Sequence, residues 1–374
     1  MSREWVLLGL SVSVTLVLAV ALLRWWAPGL LGIAPDLQVV QVSEEVVPFY
    51  ENVFRVPEGE GFILKDPYLL VRARPLNPPG YFGPTDILGF RNRAVPNAPD
   101  VIAVGDSQTF GLNAPLRANW PSQLREELAR QKARVYSMAT GGWGAVQYLD
   151  MVRKASVFGP KVVIVAFYSG NDAMESFRLA YAVDHWKSLR VDPSLSRQDT
   201  PKRLPGDEDL EWVARLPKGR EVIFTPQRRL YSMQDHPVTD AGWKIMAEAA
   251  RRMAEHSAQH KHAIVFTVIP TKELVYLPLL ERQGIALDPA YAELVRLEQQ
   301  RLGVLSDELG SLESAHYVDL VRPLQRAVLG GRFTHPMSSD GHPLPRGYAV
   351  IARALAPTVT PLLEQSGADS TARR

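Results

Sequence analysis

The sequence predicts a flavodoxin-like three-layer α/β/α sandwich with about five parallel strands, preceded by one N-terminal transmembrane helix. Three observations carry this expectation. Short, wholly apolar runs such as Val162–Tyr168 recur along the chain, as strands buried on both faces require. Stretches of helical periodicity alternate with them, the pattern of βαβ units and a sheet covered on both sides. The chain also opens with an uncharged stretch, Trp5–Leu23.

That opening stretch is 19 residues long. As a helix it spans about 28 Å, close to the hydrocarbon core of a bilayer. Trp5 at one end and Arg24, Trp25 and Trp26 at the other suit interfacial anchoring. A cleaved signal peptide is the competing reading, since Ala19-Val20-Ala21 offers a small-residue cleavage site. The apolar run continues past that site, and only Arg3 stands against Glu4 before it, so residues 1–30 are expected to be an uncleaved anchor. A buried core helix is the plainest alternative. Flanking charges nearly balance and say little about orientation. Anchor and signal peptide both export the rest of the chain, so that remainder is expected to be extracytoplasmic (periplasmic or extracellular).

Residues 31–98 are punctuated by prolines from Pro35 to Pro96 and read as a lead-in with a few short strands. The alternation proper occupies 99–364. Val101–Val104 ends in Gly105 as a first strand; Trp120, Leu124 and Leu128 mark a helix; Val135–Met138 is a second strand and Ala145–Val157 a second helix. Val162–Tyr168 is the third strand. Ala241–His260 is helical, Ala263–Ile269 a strand, Tyr291–Leu309 helical, His316–Val321 strand-like and Tyr348–Leu363 helical. Between about 175 and 239 the alternation breaks into a polar, proline-dotted insertion carrying Trp186 and Trp212. Following the third strand, it belongs near the carboxyl edge of the sheet, where it would serve as a lid, a substrate wall or an ornament. Residues 365–374 read as a disordered tail.

Composition removes several function classes. There are 42 basic and 40 acidic residues, a net charge of +2, without the basic excess of a nucleic-acid binder. There is no cysteine, which excludes disulfides, cysteine-zinc sites and thiol nucleophiles. Nothing in the sequence calls for a cofactor or a metal. His256, His260 and His262 cluster at a helix end, but no glutamate follows the first histidine as a metalloprotease helix needs, and a solvated helix terminus explains them.

Four short blocks carry the chemistry. Gly105-Asp106-Ser107 ends the first strand, where a serine on a tight turn holds its hydroxyl above the sheet edge and its own N–H can meet an oxyanion. Asp and Ser are also ordinary turn and cap residues there. Gly141-Gly142-Trp143-Gly144 ends the second strand and offers either a backbone donor or a plain turn. Ser169-Gly170-Asn171-Asp172 ends the third, with an amide that is either an oxyanion donor or a helix cap. Asp340-Gly341-His342 precedes the last helix, with His342 as candidate general base and Asp340 to orient it; His335 is a rival base. In a parallel sheet all these strand ends share one edge.

In this order the blocks resemble the SGNH (GDSL-type) hydrolases, most closely in Val101–Gly111 and Tyr168–Asp172, and specifically a membrane-anchored member. The resemblance implies Ser107 as nucleophile, His342 and Asp340 as its partners, and an oxyanion hole from Ser107, Gly142 and Asn171. Two departures stand out. Asp340 is two residues before His342, where the usual spacing is three and falls on Ser339. Ser137 stands where many relatives have asparagine. Val268–Glu273 is similar to anchored members linked to extracellular polysaccharide. The implied function is a serine esterase working through an acyl-serine on O-acetyl or other short acyl esters of envelope carbohydrate. Polysaccharide O-acetyltransfer, lipid ester (lysophospholipid) hydrolysis and a catalytically silent polysaccharide-binding or scaffold domain are the alternatives. Acyl chain length, alcohol moiety, oligomeric state and protein partners are not legible.

Overall fold

A computed structural model describes residues 46–371 apart from residues 58, 81 and 201–211. The expected membrane helix over 1–30 lies outside the described residues, among which no helix is long and apolar enough to cross a membrane.

In chain order, helix α1 (Val47–Phe54) leads to an antiparallel hairpin, β1 (Ile63–Asp66) and β2 (Leu70–Ala73). Then come β3 (Val101–Gly105), the one-turn helix α2 (Ser107–Phe110), α3 (Trp120–Glu127), β4 (Val135–Ala139), α4 (Ala145–Ala155), β5 (Val162–Tyr168) and α5 (Asp172–Ala182). A second hairpin, β6 (Val213–Leu216) and β7 (Arg220–Ile223), precedes α6 (Pro237–His260) and β8 (Ala263–Ile269). The chain closes with α7 (Lys272–Arg282), α8 (Pro289–Gly310), β9 (Ala315–Asp319), α9 (Val321–Leu329) and α10 (Pro345–Thr371).

Five strands form one wholly parallel sheet in the order β4-β3-β5-β8-β9. Counted along the sheet strands alone this is 2-1-3-4-5, the flavodoxin-like order, which reverses direction beside β3. Side-chain alternation divides the interior into two cores. Ile102, Val104, Val163, Val165, Phe266 and Val268 face α4, α5, α6 and the later turns of α8. Val101, Ala103, Ile164, Ala166, Val265 and Ile269 face α3, α7, α9 and α10. This parallel five-stranded sheet with helices on both faces is the three-layer α/β/α arrangement expected from the sequence.

The part of the lead-in that is described shares the first core through Phe54, Leu69, Leu88 and Phe90. Two buried guanidiniums fasten it. Arg72 donates to the carbonyls of Phe54 (2.5 Å) and Leu88 (2.8 Å). Arg91 donates to Gly83, Phe110, Gly111 and Ala114, tying the lead-in to the loop after α2.

Several elements differ from the sequence expectation. The last strand stops at Asp319, not Val321, because the Asp319 carboxylate accepts from the Val321 N–H at 2.8 Å and starts α9. Helices α1, α5, α7 and α9 have no counterpart in the sequence expectation; α7 carries Pro278 inside it, which breaks its sequence pattern. The segment read as an insertion from about 175 begins within α5, then holds 3₁₀ turns and the β6–β7 hairpin. Helix α10 runs on to Thr371, past the expected start of the tail.

Candidate active site

The site begins with the geometry of the β3–α2 turn. A Cβ on Gly105 would lie 2.1 Å from the Thr109 hydroxyl, so only glycine lets the strand turn this tightly into a helix. Asp106 then caps the helix, its Oδ1 accepting from the Gln108 N–H at 2.8 Å. Ser107 follows as the first helical residue, where its N–H has no intrahelical acceptor.

His342 arrives from the loop before α10. Its Nε2 lies 2.8 Å from the Ser107 Oγ, across 235 residues of sequence. On the other side of the ring, Nδ1 lies 2.6 Å from Asp340 Oδ1, which also accepts from the His342 backbone N–H at 2.9 Å. A carboxylate at Nδ1 demands a proton there, which leaves the Nε2 lone pair facing the serine hydroxyl. Burial alone would raise the Asp340 carboxyl. The hydrogen bonds and charge of His342, with a further bond from the Asn113 side chain, instead hold it well below the usual carboxylate range. The two-residue spacing is what lets Asp340 grip both the ring and the backbone of His342.

Strand register brings the other blocks to the same edge. Gly105 pairs with Ala139 on one side and Ala166 on the other, so Ser107 stands between the glycine turn and the end of β5. A Cβ on Gly141 would sit 3.6 Å from the Ser107 Cβ. Gly142, the glycine singled out in the sequence, has φ +78° and turns the corresponding position toward Val71, 3.9 Å away. Asn171 is the N-cap residue of α5 at the end of β5. Its buried side-chain oxygen has no hydrogen-bond partner, so the amide is not committed to capping that helix.

Beside the serine stand buried acids that sequence patterning does not single out. The Ser107 Oγ is 3.2 Å from Asp106 Oδ2, so its hydroxyl has two acceptors within reach. Burial pushes the Asp106 carboxyl up to about 6, and burial together with the Asp106 charge pushes Asp172 well above its ordinary value. Asp172 Oδ2 accepts from the Tyr148 hydroxyl and the Tyr168 N–H, both at 2.8 Å.

The rival base is elsewhere. His335 is buried, its Nδ1 lies 3.0 Å from the Thr334 hydroxyl, and burial holds it well below the ordinary histidine value. His256 and His260 stack 3.9 Å apart, and His256 Nε2 is 2.8 Å from the Ser156 hydroxyl. Among the described residues no group of three His, Asp or Glu side chains is disposed to hold a metal. Ser137 is clipped by Asn92: the Asn92 amide donates to the Ser137 carbonyl at 2.8 Å and its oxygen accepts from the Ser137 N–H at 3.1 Å.

No protein-family model matches the chain, and no curated protein matches it. Among solved structures it is similar to TesA at 14% identity, covering 70% of this chain and 98% of that one, with a TM-score of 0.37. A GDSL-like lipase from Bacteroides thetaiotaomicron shares 11% identity over 71% of this chain and 88% of its own, with a TM-score of 0.34. A catalytic mutant of Axe2, an acetylxylan esterase from Geobacillus stearothermophilus, shares 11% over 69% and 93%, with a TM-score of 0.36. At such identities and scores these likenesses assign no roles.

Proposed function

We propose that this chain is an SGNH-type serine esterase that acts outside the cytoplasm, on O-acetyl or other short acyl esters of envelope carbohydrate. The observation that carries the enzyme reading is the continuous hydrogen-bonded path from Ser107 Oγ through His342 to Asp340, with Asn171 and the Gly141–Gly142 turn on the same sheet edge. A merely structural serine has no need of an imidazole whose far nitrogen is fixed by a carboxylate.

The mechanism is a double displacement. Ser107 Oγ attacks the ester carbonyl carbon as His342 Nε2 takes its proton, and Asp340 stabilises the imidazolium that results. Negative charge gathers on the former carbonyl oxygen. The Ser107 N–H, a glycine N–H from the 141–142 turn and the Asn171 amide are the donors for it, each worth about 3 kcal/mol in a preorganised site. As the tetrahedral intermediate collapses, the proton on Nε2 goes to the departing alkoxide and the acyl group stays on Ser107. His342 Nε2 then takes a proton from water as the water oxygen bonds to the acyl carbon; this second tetrahedral intermediate collapses by breaking the bond from the acyl carbon to Oγ, the proton on Nε2 returns to Ser107 Oγ, and the free acid leaves.

The carbohydrate substrate and the location rest on the N-terminal segment, whose length suits an exported, tethered domain, and on the likeness of Val268–Glu273 to anchored polysaccharide-linked members. The test is turnover of p-nitrophenyl esters of increasing chain length by the full chain beside Ser107→Ala. Serine-dependent turnover peaking at acetyl supports the reading, and oligosaccharide acceptors added to that assay separate hydrolysis from acyl transfer. A peak at long chains points to lipid esters. No turnover above the alanine variant in folded protein overturns the enzyme reading.

A further inference from the structure

Lys272 is completely buried, in a chain whose other lysines among the described residues lie mostly at the surface. It stands at the start of α7, directly after β8, in the Val268–Glu273 motif that the reaction as derived does not use. Its ammonium donates to three backbone carbonyls, Ile223, Pro336 and Ser338, each at 2.7 Å. Three carbonyls satisfy the three donors of an ammonium. Two of the three belong to the strand of chain that leads, two residues later, into Asp340. The third ends β7, and that same residue's N–H donates to the Met337 carbonyl at 2.9 Å.

Glu273 completes the arrangement. Its buried carboxylate accepts from the Thr225 N–H at 2.7 Å. Thr225 in turn forms the wall against which the acid–base turn is pressed, since a Cβ on Gly341 would lie 2.9 Å from the Thr225 hydroxyl and 3.3 Å from that of Tyr168. Lys272 therefore holds the approach to the turn, and Glu273 holds the surface behind it. Between them lies Asp340-Gly341-His342, which has no regular secondary structure of its own.

We propose that Lys272 and Glu273 are the positioning pair of the acid–base turn, setting the distance of His342 from Ser107 without touching substrate. This rests on the serine-hydrolase reading. The hairpin β6–β7, from within the segment predicted as an insertion, becomes in this view the backing plate of the turn. Misplacement of a catalytic group by about 1 Å costs on the order of 100-fold in rate, so loss of the ammonium lowers kcat by roughly that factor while KM for a small ester stays close to its parent value.

The experiment is a double-mutant cycle in the full chain on p-nitrophenyl acetate, with Lys272→Met, His342→Ala and the pair, each checked by near-UV circular dichroism. The expected result is a drop of about 100-fold in kcat for Lys272→Met alone, and no further drop when it is added to His342→Ala. Equal losses in both backgrounds, or unchanged kcat in folded Lys272→Met, overturn the proposal. Should Lys272→Met not fold, Gly341→Ala pushes the same turn off the Thr225 wall and is expected to show the same non-additivity with His342→Ala; additivity refutes it. Failure of the underlying esterase reading is distinguishable, because then the parent itself shows no Ser107-dependent turnover.

Discussion

Replacing Asp340 by asparagine keeps the size of the side chain and removes its charge. In the transition state His342 becomes an imidazolium whose Nδ1 lies 2.6 Å from Asp340 Oδ1. Unit charges at that distance attract by about 6 kcal/mol at an effective dielectric near 20. The pair is not sealed from solvent, with side-chain exposures of 19% for His342 and 28% for Asp340, which discounts the interaction to roughly 4 kcal/mol. A loss of that size is about 10³-fold in kcat. The asparagine amide can also face Nδ1 and favour the wrong tautomer, which acts in the same direction. The assay is kcat on p-nitrophenyl acetate, with near-UV circular dichroism to establish the fold. A kcat within tenfold of the parent would refute the role given to Asp340. Asp106→Asn is the matched control, since Asp106 also reaches the Ser107 hydroxyl at 3.2 Å; if it costs more than Asp340→Asn, the working carboxylate is Asp106. The pH dependence has a definite sign. The Asp340 carboxyl is depressed in the folded protein, so its contribution to stability is fully present above the unfolded carboxylate range and is lost as pH falls through the lower folded value.

Asn171→Ala removes an oxyanion donor and is expected to lower kcat by about 10²-fold or more with little change in KM; a loss confined to KM would make Asn171 a binding residue only. Glu298 is buried, accepts from the Ser169 hydroxyl (2.5 Å) and the Thr271 N–H (2.9 Å), and is pushed by burial up to about 7. The unfolded chain therefore loses this proton first, and stability falls as pH rises from about 4.5 to 7, by about 3 kcal/mol. Glu298→Gln should flatten urea-unfolding stability across that window; parallel pH curves for parent and variant would be the contrary result. Arg91→Met strands the carbonyls of Gly83, Phe110, Gly111 and Ala114 and is expected to cost about 3 kcal/mol in urea unfolding, given the strength of hydrogen bonds to charged donors. A cost below 1 kcal/mol would mean that water replaces the guanidinium.

The sequence by itself determined the sheet. Val101–Gly105 and Val162–Tyr168 are apolar throughout, and Val135–Ala139 and Ala263–Ile269 are broken only by Ser137 and Thr267, because a parallel strand covered on both faces has no polar side to show. It also determined the order of the four blocks, since a parallel sheet delivers every strand end to one edge whatever the loops do. Which histidine serves Ser107 was decided only by tertiary structure. His335 and His342 sit in the same loop with similar neighbours, and it is the packing of that loop on Lys272 and Thr225 that buries one and aims the other. The contacts of Asn113 with Asp340, Asn92 with Ser137 and Glu298 with Ser169 were likewise illegible. Each joins residues more than 40 positions apart through one side chain, and hydrophobic periodicity records which face of an element is buried, not which single polar group another segment sets against it.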